Sequence, residues 1–180
     1  MAKHVALFRG INVGTAKRVA MADLRSVMEE DLGYTGVKTV LNSGNVVFDG
    51  PSKLPQTAAE GIGSALEKRT GVSSRVTVLV GGDFLKIVDA CPLTNVAKNH
   101  SKLFVAIPAK TALLRRLKPL EDEGWKPERF ALGTRAAYIF CPDGSRDSKL
   151  SKAVADELKD AVTTRNWATM LKLAALVSEP

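Results

Sequence analysis

The chain has 180 residues, enough for one large domain or two small ones, with 45% hydrophobic and 25% charged residues. Those proportions are ordinary for a globular protein and exclude a disordered tail, a collagen-like chain and a coiled coil. The formal net charge is +7, with 11 basic against 9 acidic residues through residue 90 and 15 against 10 beyond it, which permits an anionic partner without demanding one.

In chain order, His4 to Phe8 is mostly apolar and reads as a central strand. Arg9 to Val19 is polar and contains glycine, hence a loop. Met21, Leu24, Val27, Met28 and Leu32 recur at helical spacing, which predicts a helix over Met21–Leu32 with Gly33 as its C-cap. Val37–Leu41 and Val46–Phe48 read as short strands around the turn Asn42-Ser43-Gly44-Asn45. Leu54 to Thr70 is predicted as a second helix, weakened by Gly61 and Gly63 and ended at Gly71. Ser74–Val80 is a β-branched strand, and Asp83 is placed to cap a short helix through Ala90. The order β-α-β-β-α-β is that of a ferredoxin-like split βαβ unit.

Cys91 to Ser101 reads as a linker. Beyond it the order roughly repeats. Lys102–Ile107 is a strand stopped by Pro108, Thr111–Leu117 a short helix, and Glu121–Pro127 an irregular connector. Phe130–Leu132 and Ala137–Phe140 form a hairpin around Gly133-Thr134. Asp147 or Ser148 caps a helix with an apolar face of Leu150, Val154, Leu158 and Val162. Thr163–Asn166 breaks it, and Trp167–Val177 forms a closing helix in place of a fourth strand. The expected fold is α+β: two tandem ferredoxin-like units with antiparallel sheets, helices on one face and a C-terminal helix. Residues 1–92 form the first unit and residues 101–180 a diverged second one.

Cys91 and Cys141 form no CxxC pair, and His4 and His100 stand apart, so no metal site is expected and both cysteines read as reduced, partly buried thiols. No secretory signal and no apolar stretch of roughly 20 residues is present, so a soluble, cytoplasmic protein without membrane association is expected. No Ser-His-Asp or Cys-His set, HExxH or G-x-S-x-G occurs. Glu29-Glu30-Asp31 reads as a solvent-facing acidic turn, and Tyr138 and Phe140 as core aromatics rather than RNA-stacking ones.

Polar chemistry collects at three places. Arg9-Gly10-Ile11-Asn12-Val13-Gly14 directly follows the first strand. Its glycines permit close approach of backbone N–H groups, and Arg9 offers a planar fork for phosphate or carboxylate. It matches neither the P-loop nor GxGxxG, and a plain crossover loop with solvated cations remains open. Ser43-Gly44-Asn45 alone is a hairpin turn. In a split βαβ unit, however, strands one and two run parallel with strand three between them, so this turn and the Arg9 loop should be neighbours at one sheet edge. The third place is Thr163-Thr164-Arg165-Asn166-Trp167, where Asn166 can cap the last helix and Arg165 can meet an anion.

RGINVG at residues 9–14, MADLR at 21–25, LNSGNVVF at 41–48 and TTRNW at 163–167 together resemble the bacterial domain of unknown function (DUF) 1697 family, over nearly the whole chain. Where that family usually has a second glycine after GINVG, this chain has Thr15. The resemblance implies a two-lobed α+β fold of ferredoxin-like pieces and no established activity or cofactor. The candidate ligand-binding residues are Arg9, Gly10, Asn12, Gly14, Ser43, Asn45, Arg165 and Asn166, with no catalytic residue identified. The expected function is binding of a phosphate-bearing ligand, a nucleotide or nucleic acid, at this Arg/Gly/Asn-rich sheet edge, without a cofactor; the partner expected is an anionic small molecule or nucleic acid. Alternatives are an enzyme acting on a small phosphorylated or carboxylated metabolite and a non-catalytic structural or interaction module.

Overall fold

The computed structural model describes residues 1–54 and 57–179. Pro55 and Gln56, which the sequence reading places in the second helix, and the terminal Pro180 lie outside the described residues. The chain divides into two compact units, Met1–Leu85 with Lys172–Pro180, and Lys86–Leu171.

The first unit runs β1 (Ala2–Phe8), α1 (Met21–Ser26), a π-helical turn (Val27–Asp31), β2 (Thr35–Val40), β3 (Asn45–Gly50), α2 (Ala58–Thr70) and β4 (Val76–Val80), with α3 (Gly81–Asp89) following. Its sheet has the order β2-β3-β1-β4, antiparallel throughout. Val5, Ala6, Leu7 and Phe8 are all fully buried, which is why this central strand is an unbroken apolar run. Alternate strand residues Ala6, Phe8, Val46 and Phe48 share a face and pack with Leu24 of α1 and Ile62 and Leu66 of α2. Burial of each of the larger of these side chains contributes about 1.5–3 kcal/mol.

The second unit runs β5 (Leu103–Pro108), a 3-10 helix (Thr111–Glu121), β6 (Arg129–Leu132), β7 (Ala137–Phe140), α4 (Lys149–Leu158), β8 (Val162–Asn166) and the start of α5 (Trp167–Ser178). Its sheet order, β6-β7-β5-β8, repeats the first arrangement. The expected α-helix at Thr111–Leu117 is instead a longer 3-10 run. Leu114, Leu117 and Leu120 are buried at a spacing of three, the period of that helix, and Pro119 lies inside it. Ile139, Leu150, Val154 and Leu158 complete this unit's core.

The absence of a fourth strand in this half is corrected by the structure: Val162–Asn166, read as a helix break, is β8, antiparallel to β5. An edge strand with one partner needs little apolar content, and here only Val162 and Thr163 are buried. Ala109 N–H donates to Ala161 O (2.8 Å), so the hydrogen-bonded pairs of this ladder recur at Ile107↔Thr163 and Val105↔Arg165. Pro108 sits opposite Val162, between those pairs, where its missing N–H breaks no bond to β8. No helix among the described residues is long and apolar enough to cross a membrane.

Candidate functional site

β1 and β2 flank β3 and run parallel, so the end of β1, the β2–β3 turn and the start of β4 share one edge of the first sheet. The loop after β1 and the turn after β2 meet there directly. Phe8 N–H donates to Gly44 O (2.8 Å). Asn12 Nδ2 donates to Asn42 O (2.7 Å) and to Val19 O (2.8 Å), while its Oδ1 accepts from Val19 N–H (2.9 Å). A further bond, Asn12 N–H to Lys17 O (3.0 Å), closes the loop on itself.

The backbone there is unusual. Gly10, Asn12 and Gly14 take φ of 71°, 54° and 62°, whereas the intervening Ile11 and Val13 do not enter positive φ. Lys17 (51°) and Leu41 (56°) are also left-handed, so three of the four such non-glycine residues among those described belong to these two segments. Left-handed non-glycine residues are held only where surroundings over-determine them, and they concentrate at ligand sites. An added Cβ at Gly10 or Gly14 would meet nothing within 4 Å, so the space over both is open. The amides of Gly10, Val13 and Gly14 donate to no described residue. A chain alternating between the two halves of φ space aims successive N–H groups into one concavity, the arrangement that holds phosphates in nests.

The turn residues divide into supports and rim. A Cβ at Gly44 would lie 2.6 Å from Phe8 Cβ and 2.7 Å from Ile11 Cδ1, so this glycine is demanded by packing. Asn45 is fully buried, and its Nδ2 donates to Val40 O (2.9 Å) and Ser43 Oγ (2.9 Å). Ser43, Arg9, Gly10 and Gly14 are exposed. Asn12 and Asn45 therefore spend their side chains positioning the edge, and the surface offered outward is amide, hydroxyl and guanidinium.

One segment escaped sequence reasoning. Ser73, Ser74 and Arg75, just before β4, border the Arg9 loop: Arg9 N–H donates to Arg75 O (2.9 Å), Ser74 Oγ to Arg9 O (3.0 Å) and Lys17 Nζ to Ser73 O (3.1 Å). The signal was topological, since a strand antiparallel to β1 must begin where β1 ends. Two clefts flank the loop. One, of about 350 Å³, is lined by Asn12, Arg18, Val19, Ala20, Met21 and Asn42. The other, of about 330 Å³, lies between Ser73, Ser74 and Arg75 on one side and Glu60 and Glu67 of α2 on the other.

Arg165 and Asn166 belong to the second unit. Asn166 Oδ1 accepts from Thr169 N–H (2.9 Å) and Thr169 Oγ1 (2.8 Å), the N-cap of α5 that its position predicts. Arg165 is half-buried and donates to Thr163 Oγ1 (2.9 Å) and Thr164 O (2.9 Å); burial pushes its guanidinium down to about 10.

Several titratable groups away from this edge have partners within the fold. His4 is buried, donates from Nε2 to Pro51 O (2.9 Å) and stacks on Phe48 with ring centroids 5.3 Å apart. Tyr138 OH donates to Ile87 O (2.7 Å), and burial pushes its phenol up to about 12. Cys91 and Cys141 are free, buried thiols raised by desolvation. Arg69 pairs with Asp31 (2.7 Å) and Glu30 (3.0 Å), holding both carboxyls below their usual range. No group of three or more metal-ligating side chains occurs among the described residues.

The fold has a solved counterpart, described as a conserved bacterial protein, SP0830, from Streptococcus pneumoniae. It superposes with a TM-score of 0.76 over 98% of this chain and 99% of that one, at 20% identity. No curated protein matches the sequence. The model of one family, described as "Protein of unknown function (DUF1697)", matches residues 1–138, spanning the whole first sheet with its RGINVG loop and β2–β3 turn. With that match over most of its length, the chain belongs to the DUF1697 family.

Proposed function

We propose that this is a cytoplasmic protein that binds a phosphate-bearing ligand, a nucleotide or nucleic acid, at the β1–β2 edge of its first unit. The observation that carries this reading is the alternation of φ across Gly10–Gly14, clamped by the three side-chain bonds of Asn12 and open above both glycines. In this reading the amides of Gly10, Val13 and Gly14 cradle phosphate oxygens, and Arg9 supplies the fork that meets two of them. Ser43 adds a hydroxyl at the rim. Asn12 and Asn45 act as positioning residues, while Arg165 and Asn166 serve the β8–α5 junction.

Segments 9–20, 41–45 and 71–76 contribute no histidine, cysteine or carboxylate. The chemistry they offer is therefore recognition and charge stabilisation, which favours binding over group transfer.

Calorimetric titration with inorganic pyrophosphate and with a nucleoside triphosphate tests the reading. A charge-assisted hydrogen bond contributes about 1.5–3 kcal/mol, so Arg9→Ala is expected to weaken binding about 10- to 150-fold. Absence of binding to both probes, or binding indifferent to Arg9→Ala, would refute it.

A further inference from the structure

We infer that the ligand of this edge is an extended polyanion, the phosphate backbone of a nucleic-acid duplex, rather than one isolated phosphate group. The inference rests on the reading above and narrows it.

Three features support it. First, the cations are spread along the rim. Arg18 lines the cleft on the β2–β3 side, Arg75 the cleft on the β4 side, and Arg9 lies on the loop between them. All three, with Lys17, are exposed. From the β2–β3 turn to β4 the sheet spans two to three strand intervals, about 10–14 Å. Duplex strands carry a phosphate about every 3.4 Å of helix axis, so several phosphates, and not one, match that length.

Second, segments 9–20, 41–45 and 71–76 hold four cations and no carboxylate. Glu60 and Glu67 on the far wall of the Arg75 cleft then end the anionic track there. A polyanion gains from each cation along this line by releasing its own condensed counterions.

Third, segments 9–20, 41–45 and 71–76 contain no phenylalanine, tyrosine, tryptophan or histidine. The large exposed hydrophobic side chains of these segments are the aliphatic Val13 and Leu41, which have no π-face. Single strands are held by stacking bases on aromatic platforms, so their recognition lacks its main device here. A duplex presents its phosphates outward and needs none.

The test is fluorescence anisotropy of a short labelled duplex of mixed sequence across a salt series, with a single strand of the same length and inorganic pyrophosphate as parallel probes. Four contacts give a slope of log affinity on log salt of about −3.6, a loss of about 150-fold between 50 and 200 mM salt. Arg18→Gln and Arg75→Gln, on opposite flanks, are each expected to flatten that slope by about 0.9. Duplex binding with this slope, flattened by both substitutions, supports the inference. Pyrophosphate binding without duplex binding overturns it and leaves the phosphate reading standing. A slope unmoved by both substitutions, or a single strand bound as tightly as the duplex, also overturns it. Failure of every probe removes both readings.

Discussion

Asn12 shows how one side chain can set a site without touching a ligand. Its amide fills both donor positions and one acceptor, joining the loop after β1 to the turn after β2 across thirty residues of chain. It also sits at a positive φ that asparagine tolerates better than most residues. Asn12→Ala is expected to lower stability by about 2–3 kcal/mol in urea denaturation, from the lost bonds and the added backbone strain. The glycines separate by mechanism. Gly10→Ala meets open space and costs only its left-handed backbone, about 1–2 kcal/mol, whereas Gly44→Ala adds a collision with Phe8 and Ile11 and is expected to cost about 2–5 kcal/mol. Equal costs would contradict the division of rim from support. The sequence marked RGINVG and SGN as polar loops correctly, because glycine and asparagine leave a local signature. It could not say which polar groups face inward: Asn45 and Ser43 look alike as turn residues, and only tertiary packing buries one and exposes the other. The thiols were legible as bland, and both are expected to label with a thiol reagent only after denaturation.

At the scale of elements, the apolar strands β1, β3 and β5 announce themselves, and edge strands do not. β8 is a polar stretch, Val-Thr-Thr-Arg-Asn, whose strand state comes from pairing with β5. The ladder predicts an asymmetry. Thr163→Pro removes the N–H directed at Ile107 and is expected to destabilise by about 2–4 kcal/mol, while Thr164, whose N–H points away from β5, tolerates proline with a smaller loss. Thermal melts of the two variants decide this, and the reverse order would contradict the register. Arg69 on α2 ties down the acidic residues of the π-helical turn after α1. The Glu30 and Asp31 carboxyls are lowered in the folded state, so their contribution is present at neutral pH and lost as pH falls through the ordinary carboxylate range and below. Arg69→Ala is expected to flatten that acid limb, and the effect shrinks with salt because the pairs are exposed at the surface. The 3-10 helix was missed as such because Leu114, Leu117 and Leu120 also satisfy part of a helical stripe; only the run of threes, with Pro119 inside, distinguishes the two periods.

At the scale of the whole molecule, the repeated strand order is what element order alone could foresee, and both sheets have it. The partition is less readable from sequence, because it depends on where the last helix packs: residues from Lys172 onward group with the first unit. The net charge of +7 was visible at once and has a practical consequence. A basic protein attracts polyanions weakly over much of its surface, so bulk affinity alone does not locate a site. The claim that an alternating, glycine-bearing loop receives phosphate is tested most directly by resolving backbone amides individually in a nitrogen-15 NMR titration with inorganic pyrophosphate. The expected result is saturable shifts of the Gly10, Val13 and Gly14 amides that disappear in Arg9→Ala. Shifts dispersed over the surface with these three amides unmoved would contradict it.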